Sequence, residues 1–132
     1  MSFTKIFLII IGISLGVGLA ACGRIRQDQS AVDVGLNLDM TIEPAQAAVG
    51  PSRLIFSLTD AQGQLIDDAQ LKVEGNMTHA GMVPVFAQAE PGQAGRYTVP
   101  FEWTMSGDWV VTVEVTLADG QQFSQQIPVT VQ

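Results

Sequence analysis

From Val34 onward, apolar and polar side chains alternate with a period of two. Val34, Leu36, Leu38, Met40 and Ile42 are interleaved with Gly35, Asn37, Asp39 and Thr41. The alternation returns in Leu54/Phe56/Leu58, in Leu71/Val73 and in Tyr97/Val99/Phe101/Trp103. It is cleanest in Trp109/Val111/Val113/Val115/Leu117, and a last run carries Phe123, Ile127, Val129 and Val131. Side chains at i and i+2 share one face of a strand, so each run offers one apolar face to a core. Turn chemistry separates the runs: Asp60-Ala61-Gln62-Gly63, Pro91-Gly92-Gln93-Ala94-Gly95, Ser106-Gly107-Asp108 and Ala118-Asp119-Gly120. No stretch after residue 22 keeps a 3.6-residue period. The pattern predicts seven strands, roughly 34–42, 53–59, 70–76, 84–89, 96–104, 108–117 and 121–131. The expected fold is all-β, an immunoglobulin-like β-sandwich of about seven antiparallel strands. A small closed barrel has the same periodicity and stays open as an alternative.

The first 33 residues follow another logic. Lys5 supplies a positive charge, and Ile6–Leu19 is an uncharged run of 14 residues. That is short for a helix crossing about 30 Å of hydrocarbon and suits the core of a signal peptide. Leu19-Ala20-Ala21-Cys22 then looks like a bacterial lipobox. The expected organisation is a lipoprotein signal peptide over 1–21, cleaved as a signal helix. A lipidated Cys22 and a polar tether over 22–33 follow, and then the β-domain over 34–132. In such lipoproteins the Cys22 thiol takes a diacylglyceryl group as a thioether and its freed α-amine takes an amide-linked acyl chain such as palmitate, a firm anchor that needs no spanning helix. Gly23 stands where Asp would signal inner-membrane retention. The expected location is the cell envelope, lipid-anchored, on the outer membrane facing the periplasm in a Gram-negative host.

Composition sharpens these expectations by exclusion. The chain of 132 residues carries a formal net charge of −7, one unit more negative once Lys5 leaves with the signal. An acidic body is a poor partner for nucleic acid or anionic lipid head groups. One Cys and one His are too few for an internal disulfide or a thiolate zinc site. No nucleophile adjoins a base by sequence, so no enzymatic activity is expected.

One segment is unexplained by strand patterning: Glu74-Gly75-Asn76-Met77-Thr78-His79-Ala80-Gly81-Met82-Val83-Pro84. It holds the sole His and two of the four Met that remain after cleavage. In an extended chain Met77 and His79 project to one side, and Gly81 permits the bend that returns Met82. Thioether and imidazole suit Cu(I), a soft ion content with two to four ligands, and Ag(I) likewise. Antiparallel order adds an independent argument, because alternate connections lie at the same end of such a fold. The third-to-fourth connection, with Met77, His79 and Met82, therefore shares a pole with the fifth-to-sixth, which carries Met105. The first-to-second connection follows Met40 and Ile42 and belongs to that pole too, so Met40 is expected near it. The competing reading is that the methionines fill core gaps and His79 is solvated.

Four motifs in order carry a family resemblance: Thr59-Asp60-Ala61-Gln62-Gly63-Gln64-Leu65-Ile66, the M-x-H-x-G-M stretch at 77–82, Gly95-Arg96-Tyr97, and Met105-Ser106-Gly107-Asp108-Trp109. Together they resemble the YtkA-like domain family and its FixH-like relatives, over about residues 36–130. The resemblance implies a small immunoglobulin-like domain on the outer side of a membrane. Members occur alone, as lipoproteins, or beside metal-efflux and terminal-oxidase assembly components, which implies copper handling. Met77, His79 and Met82 match the M-x-H-x-G-M positions, and Met105 matches the methionine of M-x-G-x-W.

Other constellations carry less. Asp60, Asp67 and Asp68 lack the D-x-D-x-D-G spacing of a Ca²⁺ loop. Trp103 and Trp109 bracket Met105 and fit either a sandwich core or a stacking platform. Asn76-Met77-Thr78 matches a glycosylation sequon, without consequence behind a bacterial lipobox. The expected function is an envelope lipoprotein that holds Cu(I) through Met77, His79, Met82 and Met105. It would serve a membrane partner such as an efflux or oxidase assembly component. The alternative is a non-catalytic protein–protein interaction module with no metal site.

Overall fold

The computed structural model describes residues 35–90 and 92–132. The signal segment, Cys22 and the tether lie outside the described residues. Seven strands follow in order: β1 Asn37–Glu43, β2 Gly50–Thr59, β3 Gln70–Met77, β4 Val85–Gln88, β5 Arg96–Trp103, β6 Gly107–Thr116 and β7 Gln122–Val131. They form two antiparallel sheets, β1-β2-β5 and β4-β3-β6-β7. Two separate sheets settle the architecture as a sandwich rather than a closed barrel. The short β4 pairs with β3, Gly75 facing Val85, so the second sheet has four strands.

Alternation dictated the core. Leu54, Phe56, Leu58, Val99, Trp103, Val111, Val113 and Val115 are fully buried. Among the described residues the buried cluster runs from Leu38 to Val131. Gly75 sits in β3 because the other sheet comes close: a Cβ there would run into the Phe101 ring. β2 begins three residues earlier than the alternation predicted. Pro51 and Ser52 break the pattern, yet register with Glu102 and Phe101 of β5.

The end where β1 begins is locked by polar contacts. The Tyr97 hydroxyl donates to the Ile66 carbonyl at 2.7 Å and accepts from the Ala69 N–H at 3.1 Å. The Asp67 carboxylate accepts from the Gly95 N–H. Burial pushes the Tyr97 phenol above its ordinary pKa of 10, the Ala69 N–H opposes this, and the charges of Asp67 and Asp68 add to it.

Candidate metal-binding pole

Register places three connections at one end of the sandwich. Gly50 faces Trp103, Met77 faces Trp109, and Gly107 faces Val131. The β1–β2, β3–β4 and β5–β6 connections therefore share a pole with the C-terminus, as strand parity predicted. The first is pinned to the chain end: Gln132 N–H donates to Ala47 at 2.9 Å, and Val49 N–H donates to Gln132 at 3.2 Å. The second is tied to the start of β6 through Thr78 N–H on the Asp108 carbonyl at 3.2 Å. The third is braced from below, where Trp109 Nε1 donates to the Met105 carbonyl at 3.0 Å.

The four anticipated ligands reach this pole at different depths. His79 is exposed, and Met105 is 48% exposed. Met82 is half-buried against the core, with Gly81 beside it at φ +86° as the bend requires. Met77 is 9% exposed and belongs to the core. Gly107, at φ +129°, leaves room for it: a Cβ there would lie 2.9 Å from Met77 Cε. Met40 is not at the pole; it sits mid-strand opposite Phe56.

Beneath the loops runs an aromatic ladder. Phe101 and Trp103 meet edge to face at 4.7 Å, and Trp103 and Trp109 at 5.3 Å and 78°. Both tryptophans are buried, which favours the core reading over a stacking platform. Trp103 Nε1 is buried with no acceptor among the described residues.

The pole's charge distribution escaped sequence reasoning. Residues 44–49, 78–84 and 104–106 contain no Asp, Glu, Lys or Arg. The connections at the other end carry Asp60, Asp67, Asp68, Glu90 and Asp119. Of the exposed large apolar side chains, Val49, Val83 and Met105 all belong to the uncharged loops. The nearest carboxylates stand at strand ends, on Glu43, Glu102 and Asp108, and Asp108 accepts from the Thr130 hydroxyl at 3.0 Å. Loop composition held this signal, legible only once the poles were separated. Among the described residues, no three His, Cys, Asp or Glu side chains come together as a metal cage. A metal at this pole would rest on thioethers and one imidazole.

A sequence model of the YtkA-like family matches residues 34–114. The chain belongs to the YtkA-like family. The matched span contains all four ordered motifs and every pole loop. No curated protein matches the sequence. Among solved structures, the PmoD soluble domain from Methylocystis sp. is similar at 16% identity and a TM-score of 0.51, over 72% of this chain and 90% of that one. An engineered protein is similar at 19% identity and a TM-score of 0.50, over 71% of this chain and 20% of that one. At such identities the likeness concerns the fold. This YtkA-like domain thus shares a fold with the PmoD soluble domain and with a part of the engineered protein.

Proposed function

We propose that this YtkA-like domain carries a soft metal ion, Cu(I), at its uncharged pole in the cell envelope. One observation carries the reading: three separate connections converge on one end with His79, Met82 and Met105 accessible and no carboxylate among them. Neutral soft donors suit Cu(I), whereas Ca²⁺ and Mg²⁺ require several oxygen ligands. Met77 lies beneath this set as part of its floor. The lipobox supports anchoring through Cys22, and the uncharged tip supports brief docking with a membrane metal protein to which the ion passes.

Anaerobic competition against a Cu(I) chelator tests the proposal. Binding tighter than micromolar is expected, and His79→Ala or Met82→Ala should weaken it about a hundredfold, since each soft ligand contributes about 2–3 kcal/mol. Wild-type binding no tighter than micromolar ends the copper reading. Val49 and Val83, exposed beside the ligands, favour a second reading in which the pole is a protein-docking tip without metal. A membrane partner captured equally with and without copper would select it.

A further inference from the structure

The outer face of the second sheet carries a feature that the metal reading leaves unused. A groove of about 500 Å³ is lined by Lys72, Glu74, Phe86, Gln88, Thr112 and Glu114. Phe86 is 73% exposed on β4, the edge strand of that sheet. The inward neighbours Leu71, Val73, Val113 and Val115 are buried, so the groove residues occupy the solvent face. Glu74 faces Thr112, and Lys72 faces Glu114, which makes Glu74 and Glu114 diagonal neighbours about 7–8 Å apart. Asp67, Asp68 and Glu90 line an adjoining hollow that shares Lys72 and Gln88 with the groove. The face is therefore acidic around one exposed aromatic ring, with Lys72 as its only cation among the described residues.

We propose that this groove is a docking site for the protein's own segment Arg24-Ile25-Arg26. Residues 1–34 lie outside the described residues, and it is their sequence that supplies the occupant. An extended Arg-Ile-Arg places both guanidinium groups on one side, about 7 Å apart, which matches the Glu74–Glu114 diagonal. Ile25 supplies the apolar partner for Phe86. Reach is sufficient. Nine Cα–Cα steps lead from Arg26 to Gly35 and span about 30 Å when extended. Gly35 precedes β1 at the end where Gln70 and Thr116 pair. Glu114 lies two residues above that end and Glu74 four, about 7–14 Å along strands of a sandwich whose sheets pack about 10 Å apart. Arg24 and Arg26 are two of only six basic residues in the chain, and this face is where the acidic body can use them. With Cys22 two residues before Arg24, docking would hold the lipid attachment point against the side of the sandwich and leave the uncharged pole open.

Trypsin reports the state of the segment directly. In the full mature chain in neutral detergent, cleavage after Arg24 and Arg26 should be about tenfold slower than in a Glu74→Gln/Glu114→Gln variant. The protection should fade between 50 and 500 mM salt, as expected of exposed ion pairs. Both substitutions are on the solvent face, and an unchanged near-ultraviolet spectrum of Trp103 and Trp109 confirms that the variant is folded. Charge reversal at all four positions, Glu74→Lys/Glu114→Lys with Arg24→Glu/Arg26→Glu, should restore ordering, read as slowed amide exchange at residues 24–26. Equal cleavage rates in wild type and the Gln variant overturn the proposal. Protection that appears only with phosphatidylglycerol vesicles also overturns it, because lipid head groups would then be the partner. Copper affinity is expected to be unchanged in the Gln variant, so this test and that of the metal site fail separately.

Discussion

Met77 separates a packing role from a metal role. Its side chain is in the core, 9% exposed, under Gly107 and opposite Trp109. Truncation to Ala would leave a cavity between the sheets, and such losses cost about 2–5 kcal/mol for Met or Leu. A domain of about 100 residues shifts its Tm by about 4–8 °C per kcal/mol. A cost of about 3 kcal/mol therefore lowers the midpoint by about 12–24 °C, measured by near-ultraviolet circular dichroism of the buried tryptophans. Met77→Leu conserves volume and should cost under about 1.5 kcal/mol. Because Met77 forms the floor rather than part of the proposed coordinating set, that variant should keep Cu(I) affinity within about threefold of wild type. Met105→Leu should instead lose affinity and leave stability nearly unchanged. Two results would refute this reasoning. One is Met77→Ala melting within about 2 °C of wild type; the other is Met77→Leu losing copper a hundredfold with its fold intact.

Tyr97 gives stability a pH dependence. Its phenol titrates above 10 in the folded domain and near 10 in the unfolded chain. The neutral phenol's contribution is thus complete below pH 10 and falls as pH rises through the folded value. Urea titrations between pH 8 and 11 should show stability dropping above about pH 10. Tyr97→Phe, missing the bonds to Ile66 and Ala69, should start about 1–3 kcal/mol lower with a flatter alkaline limb. Cys22→Ser removes the thiol that a lipobox modifies. That variant should take up no labelled palmitate, and label incorporated to the wild-type extent without the thiol would refute lipid anchoring at Cys22.

The fold was legible because both faces of the sandwich speak in period two. Val111, Val113 and Val115 announced β6 residue by residue, and all three are fully buried. The start of β2 was less legible, because Pro51 and Ser52 are held by partners on β5 and not by their own alternation. Strand parity located the pole, since antiparallel connections alternate ends whatever their length. Parity could not give depth. Met77 and His79 are two residues apart, yet one is core and the other exposed. The split falls where β3 ends at Met77, so His79 no longer shares the strand's pleat. The Glu74–Glu114 diagonal joins two strands far apart in the sequence, and no local pattern records it.

Charge segregation along the domain bears on which ion the pole can hold. A chain of net charge −7 attracts cations of every kind, and selectivity must come from the ligands it places within reach. Hard ions find carboxylates at the end with Asp60, Asp67, Asp68, Glu90 and Asp119, but in loops without the spacing of a cage. The other end withholds carboxylates from its loops and leaves one imidazole beside thioethers. Neutral donors gain little from Ca²⁺ or Mg²⁺, which keep their water, and much from an ion that binds sulfur. The acidic end carries its carboxylates without placing any among the donors of the uncharged loops. A single carboxylate introduced at Val83, 80% exposed next to Met82, would put the first charged oxygen donor into these loops and still fall short of the several that a hard ion requires.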